Sequence, residues 1–284
     1  MKQIPVVSLP KSTDEPALSG NFNIRRLQDF VGPQGMSSEP HRHNFYFILV
    51  IEKGQGQHEI DFTSYNIQNH SVFILRPGQV HQLNVGPDTK GYLLQFNADF
   101  YLPCEAKVVQ FYRRASHKSH CKIIDSDFHR INGILNTIFS ESQQKQSGYL
   151  EAIKANLNLF FIELVRNGKE NKPSANKYEQ ERIEELQELL ELNIAREKQV
   201  SFYTESLNLS PYQLNAITKK VLDKTVSELI NEQVVLEARR QLLGTSNQVN
   251  QIAFSLGYDD PSYFIRFYKK QTGHTPEAYR NKFG

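Results

Sequence analysis

The sequence predicts a two-domain protein: a β-rich N-terminal domain, built as a small barrel followed by helices, and an all-α C-terminal domain with two helix-turn-helix units. The chain has 284 residues, which matches about two domains of roughly 150 residues each. In the first third of the chain, short apolar runs alternate with turn residues, as in β-structure. In the last third, two amphipathic helix pairs with capping residues follow one another.

Composition and charge exclude several classes of protein. A hydrophobic fraction of 39% and a charged fraction of 23% are typical of a globular chain and exclude a disordered one. The net charge of +2 excludes a strongly basic tail as the source of function but leaves room for a local basic surface. The two cysteines, Cys104 and Cys121, exclude a disulfide scaffold and a multi-cysteine zinc module. We expect a cytoplasmic protein with no membrane partner, because we find neither an apolar run of about 18 residues nor a signal-peptide pattern.

Apolar runs between about residues 20 and 103 predict β-strands. They are rich in Val, Ile, Phe and Tyr and are separated by Gly and Pro, which is typical of a sandwich or small barrel. The runs are FNIRRL, FYFILVI, HEIDF, SVFILRPGQ and YLLQFN.

Two helices are predicted between Phe128 and Arg166, because apolar residues recur there at helical spacing. The two apolar stripes contain Ile131, Leu135, Ile138 and Phe139, and then Ile153, Leu157, Phe160, Phe161 and Leu164. The polar segment that follows, NGKENKPSAN, predicts a linker. After it, YEQERIEELQELLELNIAREK predicts one long amphipathic helix that packs on its own domain.

The segment QIAFSLGYDDPSYFIRFYKKQTG, which ends at Gly273, predicts a helix, a tight turn and a second helix. Gly257 permits the left-handed backbone of a sharp turn. Asp259 or Asp260 can cap the next helix, and Pro261 suits its first position. The exposed side of this second helix is polar and cationic, as in a helix that enters the DNA major groove.

The earlier segment SFYTESLNLSPYQLNAITKKVLDKT repeats this plan. Ser210 is the predicted N-cap, Pro211 the first helical residue, and Gln213 the partner in a capping box. Between the two units, VSELINEQVVLEARRQLL predicts a bridging helix whose apolar residues form a shared core. One capped helix pair is a common pattern, whereas two in tandem are far more specific.

Residues from about 178 to 284 resemble the DNA-binding domain of the AraC/XylS family of transcription regulators. The stretches that carry the resemblance are LNLSPYQLNAITKK, LEARRQLL and VNQIAFSLGYDDPSYFIRFYKKQTGHTPEAYR. The resemblance implies seven helices, with two recognition helices in successive major grooves. The base-reading positions that it implies are Tyr212, Asn215, Ala216, Pro261, Ser262, Ile265 and Arg266. The phosphate contacts are Lys219, Lys269, Lys270 and Arg280. Arg266 suits a bidentate contact with guanine, and Asn215 one with adenine.

The first unit departs from the family pattern at three positions. Ala216 stands where a large cation or polar group is common, Thr218 where an aromatic residue is common, and Asp223 where a glycine is common. We therefore expect the first unit to contribute less to sequence preference than the second.

The β-rich domain resembles a cupin, the small barrel at the N-terminus of many AraC-type regulators. GMSSEPHRH and PGQVH carry this resemblance, and they place His41, His43 and His81 at the histidine positions of metal-binding cupins. Phe47 stands at about the glutamate position and cannot bind a metal. Two alternatives stay open: the imidazoles bind zinc or a related ion, or they form hydrogen bonds in the barrel. We favour the second, with no metal and no cofactor.

The resemblance also implies an effector pocket inside the barrel, because such an interior can hold one small ligand. The candidate lining residues are Arg25, His41, His43, Tyr46, His81 and Gln95. The two helical stripes after the barrel suit either dimerisation or packing against the barrel itself.

The leading hypothesis is a sequence-specific DNA-binding transcription regulator whose activity a small-molecule effector modulates. A cupin-like effector-sensing and dimerisation domain spans residues 1–166, a linker 167–177, and the DNA-binding domain 178–284. The expected partners are double-stranded DNA, the effector, a second copy of the chain and, for an activator, RNA polymerase. The alternative is a metal-dependent cupin enzyme with an appended helical domain. Phe47 and the C-terminal motifs favour a protein that is not an enzyme.

Overall fold

A computed structural model describes residues 4–9, 22–101, 106–116, 118–167 and 177–283. The chain divides into two compact units, an N-terminal unit of Pro5–Glu170 and a C-terminal unit of Asn171–Gly284 together with Met1–Ile4. Most of the predicted linker, residues 168–176, lies outside the described ranges. The exact domain boundaries therefore stay a prediction.

The N-terminal unit contains two β-sheets. Their strands are β1 (Val6–Val7), β2 (Phe22–Arg26), β3 (Met36–Ser37), β4 (His41–His43), β5 (Tyr46–Lys53), β6 (Gly56–Ile60), β7 (Thr63–Ile67), β8 (Ser71–Leu75), β9 (Val80–Val85), β10 (Lys90–Phe96) and β11 (His120–Lys122). One sheet has the order β1-β4-β9-β6-β7, with β3 beside β9, and the other has the order β11-β8-β5-β10-β2. The predicted β-rich domain is confirmed, although its described strands form two open sheets rather than one closed barrel.

Strand β5 lies in the middle of the five-stranded sheet, between β8 and β10. Phe47 and Leu49 belong to one apolar core and Ile48 and Val50 to another, so alternate side chains of β5 are buried on opposite faces. A strand that is covered on both faces reads as a continuous apolar run. This double burial explains why FYFILVI shows no polar alternation.

Helices cover one face of the five-stranded sheet. The helices of the N-terminal unit are α1 (Ala98–Tyr101), α2 (Ala106–Ser116), α3 (Asp125–Gln144) and α4 (Tyr149–Asn167). The apolar stripes of α3 and α4 form a single core with Ile48, Val50 and Leu94 of the sheet. Of the two interpretations of these stripes, packing against the domain itself is therefore confirmed. The other interpretation, a dimer interface built from these stripes, does not agree with this packing, because their apolar side chains are already buried within the unit.

The described part of the C-terminal unit contains seven helices, as the resemblance implies. They are α5 (Lys177–Asn193), α6 (Val200–Ser206), α7 (Pro211–Leu222), α8 (Val226–Gly244), α9 (Val249–Ser255), α10 (Pro261–Thr272) and α11 (Pro276–Phe283). Helix α8 is the predicted bridging helix and contacts both α7 and α10. Its buried side chains include Ile230, Val234, Ala238 and Leu242, which form the shared core. No helix in the described ranges is both long and apolar enough to cross a membrane.

Candidate nucleic-acid interface and histidine cluster

Helix α7 begins with a complete capping box. The Ser210 hydroxyl accepts a hydrogen bond from the backbone N–H of Gln213 (3.2 Å), and the Gln213 side chain accepts one from the backbone N–H of Ser210 (2.9 Å). Pro211 occupies the first helical position. Both features confirm the sequence prediction, and they fix where the exposed residues of α7 stand.

Helix α10 also begins with a side-chain cap and a proline, although it has no capping box. The Asp260 carboxylate accepts a hydrogen bond from the backbone N–H of Ser262 (2.8 Å), and Pro261 again occupies the first position. The turn from α9 to α10 needs glycine, because Gly257 has a φ of +73° and an added Cβ would lie 2.3 Å from the Ala195 carbonyl oxygen. The tight turn that Gly257 predicts is therefore confirmed.

The two helices present matching surfaces. Since each begins at a proline, a position in α7 corresponds to the position 50 residues later in α10. The five matched exposed positions are Tyr212, Gln213, Ala216, Lys219 and Lys220 in α7, and Ser262, Tyr263, Arg266, Lys269 and Lys270 in α10. At about 100° per residue, these positions cover about 120° of each helix. Each helix thus carries one solvent-facing stripe with two lysines near its C-terminal end.

Asp223 and Gly273 occupy matching positions after the two helices. Both have left-handed backbone, with φ values of +57° and +79°. The first unit therefore keeps the conformation that a glycine would favour, although the residue is an aspartate.

Arg266 stands at the centre of the exposed stripe of α10. Its side chain is 70% exposed, and Nη2 lies 4.0 Å from the Asp260 carboxylate. Of the other predicted base-reading residues in α10, Ser262 is exposed and Pro261 and Ile265 are half-buried. Tyr263 is exposed on the same stripe and was not among the predicted residues. Tyr263 precedes Arg266 by three residues, and this helical spacing, which places both side chains on one face, is the sequence signal that would have found it.

Asn215 ties helices α7 and α8 together. Its side-chain oxygen accepts a hydrogen bond from the backbone N–H of Val226 (3.0 Å), and its amide nitrogen donates to the Pro211 carbonyl (3.0 Å). These are the two groups that a bidentate contact with adenine requires. The base-reading role predicted for Asn215 is therefore replaced by a structural one, because its amide satisfies the first N–H of α8. Tyr212, which is 84% exposed, and Ala216 remain at the surface of α7.

Arg280 also has structural partners. Its Nε donates to the carbonyl of Leu242 (2.9 Å) and its Nη2 to the carbonyl of Asn247 (2.7 Å). Because these carbonyls lie at and just beyond the C-terminal end of α8, the guanidinium satisfies groups that have no partner within the helix. The phosphate-contact role predicted for Arg280 is corrected accordingly.

The other predicted phosphate contacts, Lys219, Lys269 and Lys270, are exposed at the C-terminal ends of the two recognition helices. Lys220 is exposed as well, but its ammonium group lies 2.8 Å from the Glu179 carboxylate. Lys220 therefore differs from the other three lysines, because its charge forms an ion pair within the unit.

In the N-terminal unit, His41, His43 and His81 lie together, as their motifs predict. Their possible ligand atoms all fall within 4.8 Å of one another. A fourth histidine, His58, joins them: His58 Nε2 is 2.9 Å from His81 Nδ1, and His81 Nε2 is 2.7 Å from His43 Nε2. His58 was missed, although it precedes the buried Ile60 by two residues and so shares its face of β6.

Burial determines the charge of this cluster. Desolvation lowers the pKa of His43 and of His58 to about 3, and it also lowers the pKa of His81. Neighbouring imidazoles act in the same direction, because one charged ring disfavours a second. These three rings are therefore neutral at pH 7.

The remaining candidates for the effector pocket lie in different places. Gln95 pairs with Phe47 across the sheet, and the Phe47 ring lies against His43 and His81, so Gln95 shares the histidine side of the sheet. Tyr46 lies on the opposite face, where its ring packs against Phe96 and Tyr112. The proposed lining role of Tyr46 is therefore wrong.

Arg25 is exposed, and its guanidinium lies over the Phe30 ring at 4.6 Å. It stands on β2 at the edge of the five-stranded sheet, so it lies beside the histidine cluster rather than within it.

A β-rich unit with a buried polar cluster and a unit with two exposed recognition helices define a class: a ligand-binding domain joined to a DNA-binding domain. Two family models match the same two parts of the chain, an AraC-like ligand binding domain at residues 30–157 and a helix-turn-helix domain at residues 203–282. The chain belongs to the AraC family of transcription regulators.

Curated relatives match nearly the whole chain. The HTH-type transcriptional activator RhaS of Yersinia pestis (strain Pestoides F) is 23% identical over 257 residues, which cover 88% of this chain and 91% of the relative. The activator RhaR of Mannheimia succiniciproducens is 22% identical over 248 residues, which cover 86% and 87%.

Solved structures are also similar to parts or most of the chain. Wild-type ToxT from Vibrio cholerae with bound unsaturated fatty acid is 18% identical, with coverage of 91% of this chain and 94% of that one and a TM-score of 0.41. The C-terminal domain of the response regulator yesN from Fusobacterium nucleatum is 29% identical, with coverage of 34% and 93% and a TM-score of 0.32. The family assignment rests on the two family models.

Proposed function

We propose that this AraC-family regulator binds DNA by placing α7 and α10 in successive major grooves, and that a small effector in the N-terminal unit modulates this binding. The observation that carries the proposal is the matched pair of solvent-facing stripes, which begin at equivalent capped prolines and end in equivalent lysine pairs. Recognition helices of helix-turn-helix proteins contact base edges through residues near their N-termini.

The exposed stripe of each helix divides into two functional parts. Tyr212 and Ala216 in α7, and Ser262 and Arg266 in α10, stand in the first half of each helix and suit contacts with bases. Lys219, Lys269 and Lys270 stand near the C-terminal ends and suit contacts with phosphates, which position the protein without specifying sequence. Since Arg266 is the longest donor on either stripe, the second unit supplies most of the sequence preference.

The proposed effector site is the face of the N-terminal unit that carries the histidine cluster. His41, His43, His81 and Gln95 supply hydrogen-bonding groups there, in an apolar surrounding that includes Phe47. A few polar groups in an apolar pocket are typical of small-molecule sites. Effector binding then acts as a population shift between conformations that differ in DNA affinity.

The proposal also includes the domain boundaries, a contact with RNA polymerase and the oligomeric state. The effector-sensing domain spans residues 1–166 and the DNA-binding domain 178–284, with a linker at 167–177. The curated relatives are named transcriptional activators, which supports a contact with RNA polymerase in this chain. We also expect a cytoplasmic homodimer without enzymatic activity, whose dimer interface lies away from the buried stripes of α3 and α4.

The test of the proposal compares Arg266→Ala with Arg266→Lys. Arg266→Ala is expected to reduce discrimination between the preferred sequence and a variant at one guanine by about 5- to 150-fold, because a bidentate arginine–guanine contact contributes about 1–3 kcal/mol. Arg266→Lys keeps the charge but not the bidentate geometry, so it is expected to restore overall affinity and not the discrimination. Fluorescence anisotropy with the two duplexes measures both quantities. Wild-type discrimination in the alanine variant would show that Arg266 does not read this base.

A further inference from the structure

Asp260 caps helix α10 with one carboxylate oxygen and faces Arg266 with the other. Its Oδ1 accepts the hydrogen bond from the backbone N–H of Ser262 (2.8 Å), and its Oδ2 lies 4.0 Å from Arg266 Nη2. The capping hydrogen bond holds the carboxylate in one orientation, so the position of the second oxygen does not depend on whether DNA is bound. The arginine that the proposed function assigns to base reading therefore has a fixed anion beside it.

The helix cap alone does not require an aspartate at this position. Helix α7 begins at the equivalent position with Ser210, whose hydroxyl supplies a single capping oxygen. Serine and aspartate are about equally favourable at the N-cap. The second carboxylate oxygen of Asp260 is therefore not needed for the cap.

Two matched positions differ together between the helix-turn-helix units. Ser210 in α7 corresponds to Asp260 in α10, because each directly precedes the proline that begins its helix. Six residues further on, Ala216 corresponds to Arg266. The unit with the arginine thus carries the carboxylate, and the unit without the arginine carries a neutral serine. Because a carboxylate on a DNA-facing surface repels phosphates, its presence there weakens binding unless it has a compensating role.

A carboxylate beside a guanidinium can supply such a role by orienting it. An arginine reads guanine only when two of its N–H groups point at O6 and N7 together. The guanidinium is planar, with five donors in a rigid fork, so an acceptor at one edge sets the plane of the whole group and leaves another edge for the base. Asp260 and Arg266 are both exposed, and an exposed ion pair contributes little to folding stability. The effect of this pair therefore falls on the orientation of the arginine.

We propose that Asp260 is a positioning residue for Arg266: its carboxylate orients the guanidinium toward guanine, and it does not itself contact the base. This inference rests on the proposed function, because it requires that Arg266 reads a base. It predicts that loss of the carboxylate reduces discrimination between bases, although removal of a negative charge favours binding to any DNA sequence.

The test is Asp260→Asn in the full chain. Asparagine caps a helix as well as aspartate does, but its NH₂ group replaces the oxygen that faces the guanidinium. The probes are the duplex that the wild type enriches from randomised DNA and a duplex with adenine·thymine in place of the guanine·cytosine pair whose discrimination is lost in Arg266→Ala. We expect discrimination between the two duplexes to fall about twofold to fivefold, the size expected for loss of an exposed ion pair, with tighter binding to the substituted duplex.

Asp259→Asn is the matched control, because Asp259 is exposed beside Asp260 and its substitution changes the net charge equally. It is expected to raise the affinity for both duplexes by the same factor and to leave discrimination unchanged. The double variant Asp260→Asn/Arg266→Ala is expected to discriminate as Arg266→Ala alone does, because the carboxylate acts only through the arginine. Circular dichroism and thermal unfolding check that each variant is folded.

The outcomes separate this inference from the proposed function. Wild-type discrimination in Asp260→Asn, together with its loss in Arg266→Ala, would overturn the inference and leave the proposed function standing. A further loss of discrimination in the double variant would show that Asp260 acts independently of Arg266, which also overturns the inference. Wild-type discrimination at every guanine in Arg266→Ala would overturn both the inference and the base-reading role that the proposed function gives to Arg266.

Discussion

At the scale of single residues, the cationic side chains of the C-terminal unit have different roles. Arg280 donates to the carbonyls of Leu242 and Asn247, whereas Lys269 and Lys270 project into solvent from the end of α10. A charged donor that satisfies backbone carbonyls contributes to folding, and an exposed lysine beside DNA contributes to counterion release. Residue type alone does not distinguish these two roles, whereas the hydrogen-bond partners of each cation do.

We predict that Arg280→Ala lowers the stability of the C-terminal unit by about 1–3 kcal/mol, since it removes hydrogen bonds from a charged donor. It should leave the dependence of DNA affinity on salt unchanged. The double variant Lys269→Gln/Lys270→Gln should do the opposite, with little loss of stability and a decrease of about 1.8 in the slope of log affinity against log salt. Denaturant unfolding and binding titrations at several salt concentrations measure the two effects.

Lys53→Gln/Lys90→Gln is the control for the lysine pair, because these two exposed lysines lie on paired strands of the N-terminal unit. Its salt dependence should equal that of the wild type. A reduced slope in Arg280→Ala would instead assign that residue to the phosphate contacts.

Local spacing was enough to predict some residue roles and not others. The capping box of Ser210 and Gln213 lies within one helical turn, so the sequence predicts it directly. Asn215 bonds to a residue 11 positions away, His58 to one 23 away, and Arg280 to one 38 away. These partners depend on how helices and strands pack, which no local pattern contains.

At the scale of elements, the turn between α9 and α10 sets the position of the second recognition helix. Gly257 and Gly273 flank α10, and both have left-handed backbone. They differ in space: an added Cβ at Gly257 would lie 2.3 Å from the Ala195 carbonyl oxygen, whereas at Gly273 it would meet nothing within 4 Å. Substitutions at these two glycines therefore distinguish the energetic cost of backbone strain from the cost of steric overlap.

We predict that Gly273→Ala costs about 1–2 kcal/mol, which is the backbone strain of an alanine with positive φ. Gly257→Ala should cost more, because the segment around Ala195 must also move. It should weaken DNA binding as well, since the displacement reaches the start of α10. Thermal unfolding and anisotropy of both variants measure these effects. Equal losses in the two variants would show that the contact with Ala195 does not constrain the turn.

The apolar stripes of α3 and α4 show where element-level prediction ends. Periodicity predicted both helices and the faces they bury. It could not decide between burial against the sheet and burial against a second copy, because both require the same pattern of apolar residues. The structure shows burial against the sheet, because Ile48, Val50 and Leu94 present an apolar face that these helices cover.

At the scale of the whole molecule, the change in sequence period divides the chain into a β-rich and a helical part. Strands with turn punctuation and helices with caps are both local signals, so the fold class was predictable from the sequence. The pairing of the strands into two open sheets was not, because it depends on contacts between distant segments.

Selection from randomised duplex DNA with the full chain shows whether α7 and α10 both read base sequence in successive major grooves. We expect two enriched blocks about 10 bp apart. The more strongly constrained block is expected to be lost in Arg266→Ala, which assigns it to α10. Enrichment of a single block, or of none, would show that the two matched stripes do not read DNA together.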